Sequence, residues 1–286
     1  MSDVQAQIAE EVVRAAQGGP AVAVATVIRA PEGAQPAVGD KLLVRPDGSR
    51  LGSLGALEEA VAADCHAAMT RIPREHVQSL FYRGDGRRLH LRPGRIRLRR
   101  RLEAGADEYE VMIEVTERPA TLLIVGGGHV GNAIATIAGH AGFSVVVLDD
   151  REAFANPERF PMADRVICGD FVEELRRFPI DANTYVVLVS RGHKQDELSL
   201  REVVNSEAAY VGMIGSLRRV GTVLTHLARE GYGRDALERV HTPIGLDIGA
   251  ETPEEIAVSI VAEMIAVRRG GSGGKLSEQR KAKIRE

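Results

Sequence analysis

The residues with the clearest chemical purpose are Gly126-Gly127-Gly128-His129-Val130-Gly131, which directly follow the apolar run 121–125. A strand that runs into G-x-G-x-x-G and then into a helix makes an anion site out of backbone alone. Gly126 suits a tight turn, Gly128 leaves room for backbone to approach a pyrophosphate, and Gly131 lets the helix pack close to the strand. The free N–H groups and the dipole at the helix start favour negative charge. A second apolar run, 144–148, ends at Asp149-Asp150. Asp149 lies 23 residues after Gly126, the usual distance for a carboxylate that accepts from a ribose 2′-hydroxyl. The pattern predicts a bound dinucleotide, with NAD preferred to NADP because Asp149 repels a 2′-phosphate. Arg151 reverses that preference if it turns toward the ribose. Folds also keep such loops for packing alone.

Further polar residues follow apolar runs that read as strands: Asp150 and Arg151; then Arg191, His193 and Lys194; then Gly215, Ser216 and Arg218. Ligands of open α/β sheets bind beyond the carboxyl ends of the strands, so these segments are expected beside the glycine turn. Arg191, His193 and Arg218 would grip phosphates there. Each has a plainer role open to it. His129 suits a helix first turn as well as catalysis, Arg151 can pair with a surface acid, and His193 with Asp196 reads as capping or as a metal or acid–base pair. Cys168 closes an apolar run and reads as a buried, inert thiol. No serine lies in a G-x-S-x-G elbow, so no catalytic triad is expected, and no metal ligands are assigned.

The elements that must position these residues alternate. Strands are expected at 121–125, 144–149, 165–168, 184–190 and 209–214, and helices at 129–141, 170–177, 194–204, 216–230 and 253–268. That order argues for a doubly wound parallel sheet, a Rossmann-like α/β domain over 119–269. Thr252-Pro253-Glu254-Glu255 carries the capping-box signature of the last helix. The loop 243–249 either folds over the ligand or simply connects. Before Pro119, helices at 4–16 and 57–69 and strands at 22–28, 41–44, 78–82, 88–91, 95–101 and 109–115 suggest a smaller α+β domain. Arg95, Arg97 and Arg99 alternate along one expected strand face, as a solvated edge or an anion surface. The tail 270–286 is glycine-rich, then charged, and is expected to be disordered.

Composition narrows the function classes. Net charge is −3, aromatics are 4% and Trp is absent, which argues against nucleic acid as a partner. No run approaches a membrane span and no signal peptide opens the chain, so no membrane partner is expected. Cys65 and Cys168 lie far apart, giving neither a disulfide framework nor a zinc motif. A cytoplasmic protein is the expectation.

Five segments within 121–264 resemble the XdhC/CoxI family: LLIVGGGHVG, VVVLDDREAFANPERFP, YVVLVSRGHKQDELSL, YVGMIGSLRRV and HTPIGLDIGAETPEEIAVSIVAEM. The stretch PAVAVATVIRAPEGAQPAVGDKLLVRPDGSRLGSLGALEEAV looks like the family's first segment, with two departures. Ala37 stands where the family has Arg, and Ala56 where it has Cys. The resemblance implies a Rossmann domain after a smaller domain. It also implies an accessory protein that binds molybdenum cofactor and assists maturation of xanthine dehydrogenase-type molybdenum hydroxylases. The cofactor would be molybdopterin, its dinucleotide or NAD(P), and the partner an apo-hydroxylase. A cysteine desulfurase partner and a homodimer fit the same picture. A role needing a thiol at position 56 is not available to this chain. An NAD(P)-dependent oxidoreductase and a dinucleotide-sensing regulator are the rival readings.

Overall fold

The computed structural model describes residues 3–71, 77–89 and 107–278. The expected strand 95–101 with its arginine row lies outside the described residues, as do 279–286 of the tail and the side chain of His193. The chain divides into two compact units, 1–118 and 119–286.

The first unit contains α1 (Asp3–Ala16), β1 (Val22–Arg29), β2 (Lys41–Val44), β3 (Arg50–Gly52), α2 (Glu58–Thr70), β4 (Val77–Arg83), β5 (Arg88–Leu89) and β6 (Glu108–Thr116). The strands form one sheet in the order β3-β2-β1-β6-β4-β5, with every pairing antiparallel. Side chains alternate across a strand, and β1 is apolar on both faces because a helix covers each. Ala23, Ala25 and Val27 pack with Val61, Cys65 and Met69 of α2. Val22 and Val24 pack with Ile8 and Ala15 of α1. Burial pushes the Cys65 thiol up to about 12, so it stays protonated in the core.

The second unit contains β7 (Thr121–Val125), α3 (His129–His140), β8 (Ser144–Asp149), β9 (Arg165–Cys168), α4 (Phe171–Arg177) and β10 (Thr184–Leu188). It continues with α5 (His193–Val203), β11 (Tyr210–Met213), α6 (Leu217–Arg229), α7 (Arg234–Glu238), β12 (Val240–His241) and α8 (Pro253–Arg269). All its pairings are parallel, in the order β12-β11-β10-β7-β8-β9. The expected doubly wound sheet is therefore present. Every residue of β7 and of β10 is buried, as a central strand covered on both faces requires. Leu122 and Ile124 pack with Ile134 of α3 and Ile260 of α8, whereas Leu123 and Val125 face Phe171, Leu200 and Val220 of α4, α5 and α6. The chain leaves β7 toward β8 but later returns to β7's other side with β10. The crevice between β7 and β10 is thus the topological switch point.

One boundary and three short elements differ from the sequence expectation for local reasons. The strand expected to reach residue 190 ends at Leu188, because the Ser190 N–H and hydroxyl both turn to Asp196 of α5 at 3.1 and 2.6 Å. Strands β3 and β12, of three and two residues, and the short helix α7 are too brief for periodicity to signal. The capping box of α8 forms as expected: Glu255 N–H donates to Thr252 Oγ1 at 3.2 Å, and Thr252 N–H donates to Glu255 Oε2 at 3.1 Å. Loop 243–249 is tied down onto α8. Gly245 N–H donates to Glu263 at 3.1 Å and Ser259 Oγ donates to the Leu246 carbonyl at 2.6 Å.

Gly131 is the tightest joint between α3 and the sheet: a Cβ there would collide with the carbonyl oxygen of Gly126. Backbone on both sides leaves little room to yield. Gly131→Ala is expected to cost about 1–3 kcal/mol of stability, the usual range for overpacking. Thermal or urea unfolding checks this, with Gly128→Ala as a control expected to change stability by less than about 0.5 kcal/mol.

Candidate nucleotide site

The three consecutive glycines of the turn have distinct local reasons. Gly126 has φ +119°, and a Cβ on it would lie 2.6 Å from the Val189 carbonyl oxygen, so the turn closes only with glycine. A Cβ on Gly127 would strike the Phe154 carbonyl oxygen. Gly128 is different: φ is −68°, which any residue adopts, and a Cβ there would meet nothing within 4 Å. The fold therefore does not need glycine at 128, and the space above it is open. Gly128 is also the N-cap of α3, with no side chain capping the helix.

The same holds for two more helices that start at this sheet edge. Helix α5 begins after Gly192 and α6 after Ser216, neither with a side-chain cap, whereas Asp170 caps α4 and Thr252 caps α8. The first N–H groups of an uncapped helix need water or a ligand, and they carry the positive end of the dipole.

Asp149 differs from its expected role. It is 1% exposed, and its carboxylate accepts four hydrogen bonds. Oδ2 accepts from Gly127 N–H at 2.8 Å and from Arg151 Nη2 at 2.9 Å, while Oδ1 accepts from Arg151 N–H at 3.1 Å and Nε at 2.8 Å. A carboxylate has about four lone-pair sites. None is left for a ribose hydroxyl in this arrangement. Asp149 instead braces the glycine turn and holds Arg151, whose guanidinium also lies 3.6 Å from the centre of the Phe154 ring. Arg151 is thus occupied and is not turned toward a 2′-phosphate. Asp150 is the exposed carboxylate at this rim.

Two cavities flank the turn. One, of about 270 Å³, is lined by Asp149, Asp150, Arg151, Ser190, Arg191 and Gln195, among others. The other, of about 460 Å³, is lined by His129, Asn132, Ala133, Ile137, Arg159 and Glu254, with Thr136. Gly127 joins them: its N–H is held by Asp149 of the first, and its carbonyl accepts from Arg159 Nε of the second at 3.2 Å. Arg191 and Arg218 are exposed and make no ion pair with a described residue. Gly215, Ser216 and Arg218 line neither cavity. Val130 is half-buried on the first turn of α3.

Asp196 anchors Ser190, accepting from its N–H and its hydroxyl. One other sequence expectation changes. Cys168 is exposed, not buried, as the last residue of the edge strand β9. Sequence reasoning missed Arg159, Asn132, Ser190 and Glu254. Arg159 and Asn132 are linked, since Asn132 Nδ2 donates to the Arg159 carbonyl at 3.0 Å. Arg159 comes from the Phe154–Phe160 stretch, an irregular connection whose path no periodicity reveals. Ala56 sits exposed on the turn before α2, where a cysteine side chain would be open to solvent.

Burial alone would push the Asp149 carboxyl up, but the hydrogen bonds from the Arg151 side chain and from the Gly127 and Arg151 N–H groups outweigh it, so it titrates below the ordinary carboxylate range. A depressed folded pKa stabilises above the unfolded value of about 3.9 and loses that contribution as pH falls through the folded one. Asp149→Asn should lower stability at pH 7 by about 2 kcal/mol, the scale of a charged hydrogen-bond partner. The difference from wild type should shrink as pH drops below about 4 and vanish only once pH has passed through the lower pKa of the folded carboxyl. Urea unfolding at pH 7 and pH 3 measures it.

Comparison with known proteins agrees with this architecture. The XdhC Rossmann domain model matches residues 122–264, half of the chain, and the XdhC and CoxI family model matches 15–78. An uncharacterized protein of Escherichia coli K12, YqeB, is 30% identical over 249 residues, 85% of this chain and 43% of that protein. A protein of Bacillus subtilis described as a probable xanthine dehydrogenase component is 33% identical over 162 residues, 56% of this chain and 46% of that protein. The chain thus spans under half the length of these curated relatives. A crystal structure described as a xanthine dehydrogenase from Bacillus halodurans shares the fold, at a TM-score of 0.51 and 20% identity over 94% of this chain and 96% of that one. With its Rossmann domain matched from first strand to last helix and its N-terminal segment matched as well, the chain belongs to the XdhC/CoxI family.

Proposed function

We propose that the C-terminal unit holds the pyrophosphate of a dinucleotide on the turn from Gly126 to Gly131, and that the protein assists maturation of a xanthine dehydrogenase-type molybdenum hydroxylase. The observation that carries the reading is Gly128. It is a glycine that neither backbone strain nor packing demands, at an uncapped helix start that faces open space. A phosphate accounts for its smallness. Gly128, His129, Val130 and Gly131 would offer backbone N–H groups, Arg191 a free guanidinium, and Asp150 an acceptor for a ribose hydroxyl. Gly215, Ser216 and Arg218, with His193, stand at the neighbouring helix starts as further donors.

NAD(P), molybdopterin and a molybdopterin dinucleotide all present the required phosphate. The residues here fit the phosphate end of the molybdenum cofactor; the metal itself would supply the redox chemistry of the client enzyme. Position 56 carries Ala and Cys65 is buried, so the grip would rest on phosphate contacts. Family membership and the similarity to a probable xanthine dehydrogenase component support the maturation role and an apo-hydroxylase as partner. A hydride-transfer enzyme is less well supported. His129 has no orienting carboxylate among the described residues, and Asp196 is engaged with Ser190.

Calorimetric titration with ADP and NAD tests the site. Gly128→Val should weaken binding at least tenfold, about 1.4 kcal/mol, with the fold retained. Arg191→Ala should also weaken it about tenfold, and more at low salt than at high salt. Equal affinities in wild type and both variants would remove the turn from the site. For the maturation role, addition of the protein should raise the molybdenum content and activity of a cognate apo-hydroxylase. Robust substrate-dependent reduction of NAD by the chain alone would overturn that role.

A further inference from the structure

Helix α6 begins with Leu217, Arg218 and Arg219, all exposed, and none of them lines either cavity. The leucine belongs to the helix's apolar face. Leu217, Val220, Leu224 and Leu227 recur at helical spacing, so they form one row. Val220 and Leu227 are buried in the core with Leu200 and Val211. Leu217 is the next member of the row toward the helix start, and it is 79% exposed. The row therefore runs one turn beyond the core that covers its other members.

The arginines beside it run against the helix's own preference. A helix start carries the positive end of the dipole and favours acidic residues. Helices α4 and α8 comply, with Glu173 and Glu174 in one first turn and Glu254 and Glu255 in the other. Helix α6 has no acid in its first turn and puts Arg218 and Arg219 there instead. Helix α5, after the neighbouring strand, starts with Lys194 exposed, and the one acid of its first turn, Asp196, is turned inward to Ser190. Away from this edge the cations of α4 and α5 are paired. Arg201 lies 2.6 Å from both Glu197 and Glu230, and Arg176 lies 2.8 Å from Glu202. Lys194, Arg218 and Arg219 have no ion-pair partner among the described residues. Exposed, unpaired cations at the wrong end of a helix suit an anion from outside. A free phosphate would answer the arginines but not the overhanging leucine.

Resting on the maturation reading above, we propose that Leu217, Arg218 and Arg219, with Lys194 of the neighbouring helix start, form the docking surface for an acidic face of the apo-hydroxylase. The leucine enters an apolar hollow on the partner, and the cations meet carboxylates around it, as in interfaces with an apolar centre and a complementary charged rim. A lipid surface matches less well, because one apolar side chain inserts little area. Nucleic acid matches less well, because the patch has no aromatic ring for bases to stack on. Strand β11, which leads into α6, is two strands from β7, so the surface stands on the same sheet edge as the glycine turn. A protein docked there faces the edge at which the phosphates of a cofactor would be held.

Biolayer interferometry of the full chain against a purified, cognate apo-hydroxylase tests this at low and high salt. Leu217→Asp and Arg219→Glu should each weaken the complex at least tenfold and Arg219→Gln by less, and wild-type binding should weaken as salt rises. ADP affinity should stay within twofold in all three variants, since neither residue belongs to the phosphate grip. Arg229→Glu, exposed in the last turn of the same helix, is the charge control and should leave the complex within twofold of wild type. If Leu217→Asp and Arg219→Glu bind the apo-hydroxylase as wild type does, the surface is overturned and the maturation reading stands. The surface is also overturned if Arg229→Glu weakens the complex as much as Arg219→Glu, because general charge then carries it. Absence of wild-type binding overturns the surface, and overturns the maturation reading too where the chain also fails to raise the hydroxylase's molybdenum content. Binding to phosphatidylserine vesicles or duplex DNA through Leu217 and Arg219, without binding to the hydroxylase, would show the partner class to be wrong.

Discussion

A buried carboxylate braced against a turn without side chains is the contact on which the C-terminal unit's site depends. Asp149 ends β8, and its Oδ2 holds the Gly127 N–H at 2.8 Å. That bond fixes the one stretch of backbone that must stay open. Gly126 and Gly131 then close the turn from below, each so near a carbonyl that nothing larger fits. Burying such a charge is costly unless it is fully hydrogen-bonded, and Arg151 completes the set by folding back over two residues. The guanidinium in turn rests on Phe154, whose own carbonyl crowds Gly127. The turn, the carboxylate, the arginine and the ring form a closed loop of mutual support. Loss of any one member would loosen the donors of α3.

The strands and helices of this unit were legible because each physical signal repeated. Buried parallel strands are continuous apolar runs, and β7, β8 and β10 are such runs in sequence and in structure. The glycine turn was legible because three glycines had separable reasons. The role of Asp149 was misjudged because spacing says where a carboxylate stands and not which donor reaches it first. An arginine two residues on is nearer than any ligand. Cys168 was misjudged because an apolar run looks the same whether its last residue is covered or not. Arg159 and Glu254 were invisible as partners of one cavity, since 95 residues separate them and the stretch before Arg159 has no period.

The division of labour among helix starts follows the same logic. Asp170 and Thr252 cap α4 and α8 with their side chains. The starts of α3, α5 and α6 lack such caps, and they stand after β7, β10 and β11 at the carboxyl edge of the sheet. An acidic cap at any of them would place a permanent negative charge where an anionic ligand needs donors. Arg191 and Arg218 at those edges add charge of the opposite sign. The pattern suits the proposed phosphate site, in a chain whose net charge of −3 gives no such bias overall.

The central claim is that the backbone N–H groups from Gly128 to Gly131 receive a pyrophosphate. Amide chemical shifts read those groups one by one. On titration of deuterated, ¹⁵N-labelled protein with ADP, the largest shifts should fall on Gly128, His129, Val130 and Gly131, with smaller ones at Asp150 and Arg191. No shift at millimolar ADP, or shifts confined to other parts of the chain, would contradict the account.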